Sequence, residues 1–464
     1  PKSSEAVRVR QRLAGLETAR ARPKKRLKKV KRRRKEGTEF YGGFSQFYNR
    51  DENYTDLGGK SISRSSLSSD LDLNIRKRGR AYDIRSVFIG GYDYNFIGDG
   101  TDNEFRLNRF YIDFSDKEKV VTARAGRQSR SVGGVLGRYD GGLLMYSITP
   151  RMKINLVAGF PVESSVFEEI DTDKHFYGAS FDLGTFYKHW DVNAFYISQE
   201  AEGIIDRQAV GGEIRYIARH LNFFNLIDYD ISYMELNTLL FVGSWTLVDK
   251  STVNLTIDYR NSPILTTSNA LQGQIVEDLS TLMQTYNEDE VRSLALDRTA
   301  VSKSATIGFT RPFKDTKFQI STDMTFSELE GTDASGGVEA VAGTGLDYFL
   351  SAQLIGTSLI KEGDTAIVGL RFSDVSTSKT LSLNLNTRYP ASRALRINPR
   401  MRIDYRKSDD GVDDRWVLRP SLRTDYYWRK KRVHFEFEAG GDWTYSTIED
   451  HRNYFLLIGY RMDF

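Results

Sequence analysis

The feature that most limits this chain is a period of two. From Glu39 to the last of its 464 residues, apolar and polar side chains alternate. Val253, Leu255, Ile257 and Tyr259 interleave with Thr252, Asn254, Thr256, Asp258 and Arg260. Leu67, Leu71, Leu73 and Ile75 interleave with Ser68, Asp70, Asp72 and Asn74. Such alternation over about ten residues is a strand with one apolar and one polar face. About 22 segments read this way, beginning with 39–48 and 65–76 and closing with 453–464.

The links between segments sort by parity. Odd-to-even links are mostly long and rich in Asp, Asn and Gly, as at 50–60, 129–140, 162–173 and 328–344. Even-to-odd links are mostly short, as at 77–80, 115–118 and 248–250. Links 235–236 and 374–377 are short exceptions, and 356–364 is a long one. A sandwich or propeller gives no reason for that sorting. A membrane barrel does, because its turns are short on one side and its loops long on the other.

Other classes drop out. No apolar run approaches the ~20 residues that a membrane helix needs. The chain has 25 Tyr and 27 Phe, which is not the composition of disorder. It has no cysteine, so disulfides, thiolate metal sites and thiol catalysis are excluded. In lipid, strands must close into a barrel to satisfy every backbone group. The expected fold is therefore all-β: a single transmembrane antiparallel barrel of about 22 strands (range about 18–24), residues 37–464. Tyr92, Tyr94, Phe96, Tyr426, Tyr427, Trp428, Trp443 and Tyr445 lie near strand ends, where interfacial aromatic girdles belong.

Residues 1–36 differ from the rest. They carry sixteen Lys/Arg and three acids, a net +13 against −9 for the remainder. They read as a basic helical arm or linker, with Val7, Leu13, Leu16 and Ala19 as a thin apolar stripe. The plain reading is a solvated arm; nucleic acid, lipid phosphate and an anionic partner protein are the alternatives, of which nucleic acid is not expected as a partner. In 268–297, Leu271, Ile275, Leu279, Leu282 and Met283 recur at helical spacing, with Ser268 or Asn269 as cap. This insertion is expected as a helix, either packed on the barrel rim or folded inward as a constriction.

The last strand carries a resemblance. Tyr454, Leu456, Ile458, Tyr460, Met462 and Phe464 alternate and end on a terminal Phe. Over about 37–464 the chain resembles the Gram-negative outer-membrane β-barrel superfamily, porin-like or of the exopolysaccharide-export type. Residues 121–128, VTARAGRQ, look like a strand common in such barrels, and 3–19 are similar to the last helix of a tetratricopeptide-type repeat. The resemblance implies an outer-membrane location with surrounding lipid, the basic arm in the periplasm, and barrel-assembly machinery reading Tyr460, Met462 and Phe464.

Parity also nominates inward-facing residues. It places Arg396, Arg400, Arg402 and Arg406 on one polar face, Arg419 and Arg423 on that of the next strand, and His434, Glu436, Glu438 and Asp442 on the one after. Arginines can pair with carboxylates across strands to steady the wall. They can also form a charged track, since rings of charge set selectivity in pores. His434 near Glu436 and Asp442 reads as a hydrogen-bond network. The five histidines show no metal-ligand spacing, and no catalytic motif or cofactor fingerprint occurs, so an enzyme is not expected. The leading expectation is an outer-membrane conduit exporting a polar polymer such as an exopolysaccharide. The alternatives are a passive porin for small polar solutes and a scaffold barrel enclosing a partner protein.

Overall fold

The computed structural model describes residues 36–464 except 56–57, 99–102, 136, 165, 167–168 and 429–431. The basic arm therefore lies almost wholly outside the described residues.

The strands are β1 Gly37–Thr55, β2 Gly59–Arg78, β3 Tyr82–Asn95, β4 Glu104–Asp116, β5 Val121–Arg130, β6 Gly137–Ser147, β7 Met152–Val162 and β8 Lys174–Phe186. Then come β9 Trp190–Ala201, β10 Ile204–Ile217, β11 Leu221–Asp230, β12 Glu235–Thr246, β13 Thr252–Ser262, β14 Ala300–Pro312 and β15 Phe318–Leu329. The last are β16 Asp347–Thr357, β17 Thr365–Val375, β18 Ser378–Arg388, β19 Leu395–Ser408, β20 Arg415–Trp428, β21 Val433–Ser446 and β22 His451–Asp463. Each strand pairs with the next, and β22 pairs antiparallel with β1 from Gly43↔Asp463 to Thr55↔His451. The sheet is a closed 22-stranded antiparallel barrel with no free edge.

Closure follows from the sequence pattern. One face of each strand carries large exposed apolar side chains, among them Phe110, Ile112, Leu156, Ile307, Leu370 and Ile458. The other face is polar, and it is the enclosed one. Positive-φ residues punctuate the even-to-odd turns at Lys119, Lys188, Lys250, Asp315 and Ser358. The seam is fastened beyond the ladder: Gly42 and Phe464 exchange backbone hydrogen bonds of 3.1 and 3.0 Å, and Phe464 stacks on Phe40 at 5.4 Å. Tyr460 donates to Gln46 at 2.9 Å.

Two expectations need correction. The first two strands, read as 39–48 and 65–76, run 19 and 20 residues, so most of the supposed long link at 50–60 belongs to strand. Their tips carry charges on the outer face, with Arg50 2.6 Å and Lys60 2.9 Å from Glu52. Such charges mark wall that stands beyond lipid.

The insertion 268–297 is not one helix. It is a 3₁₀ turn, Thr267–Leu271, and two short helices, α1 Leu279–Leu282 and α2 Glu288–Asp297. Thr266, not Ser268 or Asn269, is the residue before the first turn. Gly273 at φ +73° ends the turn, and Ile275, expected on the buried face, is fully exposed. Leu279 and Leu282 are buried with Leu265, Val291 and Leu294, and Leu271 packs at the edge. Burial of each such side chain is worth about 1.5–3 kcal/mol.

That small core lies across the ends of β9–β13. Glu202, in the β9–β10 turn, accepts from the backbone N–H groups of Leu279 and Ser280, at 3.0 and 2.8 Å. Tyr233, in the β11–β12 turn, bonds Thr267 at 2.8 Å, and burial pushes its phenol up to about 12. Asp278 caps α1, and hydrogen bonds from Ser280 and Thr281 hold its carboxyl below the usual range. The insertion thus packs at the strand ends, where Leu279 and Leu282 fill its own small core, Ile275 is exposed, and Ile264 and Thr266 border a cavity shared with Gly134 and Val135.

Candidate functional site

A segment that sequence reasoning missed lies against the inner wall. Residues 131–135, after β5, fold onto the polar face of β8–β10. Gly133 donates its N–H to Glu213 at 3.3 Å, and Arg207 reaches the Gly134 carbonyl at 3.1 Å while pairing with Asp228. Arg130 bonds the Val132 carbonyl at 2.9 Å and Ser180 at 3.3 Å. Val135 is buried with Tyr139, Leu143, Val157, Phe176, Ile197 and Ala209, all on the inner face. Gly133 and Gly134 have φ of +69° and +78°, and a Cβ on Gly134 would lie 2.6 Å from the Phe195 ring. Two glycines are what allow the loop to lie this close to the wall. A cavity of about 570 Å³ borders this loop, and Arg124, Arg130, Arg151, Lys153, Asp182 and Glu213 are among its lining residues.

The residues nominated by parity lie on one face of β19–β21. Arg396 lies opposite Asp425, Arg400 opposite Ser421, Arg402 opposite Arg419 and Arg406 opposite Arg415. Arg423 lies opposite Glu438. They form an ion-pair lattice: Arg400–Glu438 at 3.0 Å, Arg419–Asp442 at 2.9 Å and Arg423–Glu436 at 2.8 Å. Asp404 takes both Arg402, at 2.8 Å, and Arg419. Like-charged neighbours such as Arg402 and Arg419 are tolerable because a buried carboxylate sits between them.

Three details differ from the expectation. His434 bonds Asp425 at 2.9 Å, not Asp442, which belongs to Arg419. Tyr427 is not a girdle residue: it faces inward, parallel to His434 at 4.5 Å, with Arg396 over its ring at 5.1 Å. Asp425 was missed, although its parity with Arg423 would have found it.

The inner wall is not uniform. Across β14–β16 it is mostly uncharged, with Thr306–Thr325 at 2.8 Å and Thr310–Ser321 at 2.9 Å as cross-strand pairs. On β2–β5 it is charged again, with Arg124 2.5 Å from Asp113 and Arg106 2.9 Å from Asp70.

No protein-family profile matches this sequence, and no curated protein does. Among solved structures, a BenF-like porin from Pseudomonas fluorescens is similar at 10% identity, covering 92% of this chain and 99% of that one, TM-score 0.43. OccAB4 of Acinetobacter baumannii is similar at 8% identity, covering 93% and 99%, TM-score 0.44. OccK2 of Pseudomonas aeruginosa is similar at 10% identity, covering 92% and 100%, TM-score 0.43. Likenesses at these scores carry no argument about what the barrel admits. The barrel class rests on the strand pairing of this chain.

Proposed function

We propose that this chain is a passive channel for small polar solutes in the outer membrane of a Gram-negative bacterium, its short turns toward the periplasm. The observation that carries the reading is the 131–135 loop, held on the inner wall by Gly133–Glu213 and Arg207–Gly134. An inward loop narrows a wide barrel to a size that sorts small solutes. The ion-pair lattice and the hydroxyl-lined strands keep the remaining lumen wet. Polymer export, with 268–297 as its gate, asks for one apolar helix across the lumen, whereas this segment is broken into a turn and two short helices whose leucines fill a core of their own.

Liposome swelling with a graded series of neutral sugars tests the reading. Entry of small sugars that falls off with size supports it. A full chain closed to every solute, which opens only when 263–299 is deleted, would refute it and restore gated export. Tyr460, Met462 and Phe464 are proposed as the contact for barrel-assembly machinery. Deleting Phe464 should lower the yield of heat-modifiable barrel in the outer membrane, and an unchanged yield would remove that role.

A further inference from the structure

Strand pairing gathers a cluster that linear spacing conceals. Asp425 on β20 lies opposite Glu436 on β21, and Tyr427 lies opposite His434 one inward-facing step along. Asp425, His434 and Glu436 each offer one ligand atom, and these atoms all lie within 4.8 Å of one another. We propose that they form a binding site for a divalent transition ion of the zinc class on the inner wall. The site does not depend on what the channel conducts.

The donor set suits such an ion. One imidazole and two carboxylates bind zinc, nickel or copper, whereas calcium and magnesium prefer oxygen alone. Tetrahedral bonds of about 2.0–2.2 Å place donors about 3.3–3.6 Å apart. His434 Nε2 and Asp425 Oδ1 are already 2.9 Å apart, so only small side-chain movements are needed.

The surroundings hold the donors in place. Tyr427 stacks flat on the His434 ring, with 5° between the planes, and so fixes its orientation. Asn398 donates from Nδ2 to Asp425 Oδ2 at 2.8 Å, the kind of outer contact that orients a ligating carboxylate.

Asn398 also keeps one polar atom unspent. It is only 7% exposed, yet its Oδ1 has no hydrogen-bond partner among the described residues. Its Nδ2, not this oxygen, faces Asp425, so Asn398 acts on the site as an outer contact. Arg423 bonds Asp425 at 3.1 Å and Glu436 at 2.8 Å, so it offsets one of the two negative charges. A bound ion would share these carboxylates with Arg423, which also lies 3.9 Å from Glu438.

The test uses the untagged full chain, refolded in detergent and titrated with cobalt(II), a coloured substitute for zinc. The expected result is a saturable visible absorption band that zinc displaces and that His434→Ala abolishes. Asn398→Ala should weaken the affinity about 10- to 100-fold, as loss of an outer contact does. Heat-modifiable mobility checks that each variant is folded, and Glu436→Gln stands in if His434→Ala fails to fold. No band in the wild type would overturn the site. A band of equal strength in the folded His434→Ala or Glu436→Gln variant would also overturn it, by assigning the metal elsewhere.

Discussion

Replacing Gly134 by Val should drive the 131–135 loop off the inner wall and widen the channel. Gly134 has φ +78°, a conformation that costs a side-chain-bearing residue about 1–2 kcal/mol. The new Cβ would lie 2.6 Å from the Phe195 ring and 3.1 Å from Ile197, both fixed in paired strand. Overpacking of that kind costs about 1–3 kcal/mol. The docked loop is therefore disfavoured by about 2–5 kcal/mol, or about 30- to 4000-fold in population.

What holds it is of the same size. Two hydrogen bonds to charged groups, Arg207 to Gly134 and Gly133 to Glu213, are worth about 1.5–3 kcal/mol each before ordering costs. In single-channel recordings the variant should show a higher mean conductance, or flicker between the wild-type level and a larger one. Gly142→Ala is the control, because an added Cβ there meets nothing closer than 4.0 Å. A folded Gly134→Val channel with the current level and noise of the wild type would refute the constriction.

Two further outcomes are expected. Asp404→Asn removes the carboxylate shared by Arg402 and Arg419, which frees Arg402 and leaves Arg419 with Asp442 alone. The reversal potential in a KCl gradient should shift toward chloride, and no shift would mean that the lattice does not face the conducting path. Asp364, in the β16–β17 turn, accepts hydrogen bonds from the backbone N–H groups of Lys361, Ile360 and Leu359, which lower its pKa. A lowered folded-state value stabilises the fold above the unfolded pKa of about 3.9, and the benefit is lost as pH falls through the folded one. The melting-temperature gap between wild type and Asp364→Asn should thus be full near neutral pH and shrink below about pH 4. A gap independent of pH would contradict it.

The barrel was legible because period two survives any error of a few residues in a strand end. The same parity puts the nine nominated charged residues of β19–β21, from Arg396 to Asp442, on one face of the sheet. What the sequence concealed depends on contacts between distant segments. The 131–135 loop reads as an ordinary glycine turn, and only its docking on Phe195 and Glu213 makes it a constriction. Adjacent Gly133 and Gly134 in a long odd-to-even link were the available signal. The leucines of 268–297 matched a helix in spacing, but Gly273 interrupts the run and Ile275 points away from the core. Asp425 and Tyr427 could have been placed by parity with Arg423, and they bring the cluster around His434 together.

The mouth of this barrel is raised by two unlike materials. On one side β1 and β2 climb 19 and 20 residues, about 60–65 Å of strand, while β5 and β11 have only 10 each, about 33 Å. On the other side height comes from the 263–299 insertion, resting on a core of eight buried residues. The first wall is held by the same ladder as the barrel, so its amides open when the barrel opens. The second is held by a small apolar core, so its amides are expected to exchange before those of the ladder. One rim is masonry bonded into the wall and the other is a cap resting on it, so any change in the shape of the mouth is expected on the side of the cap.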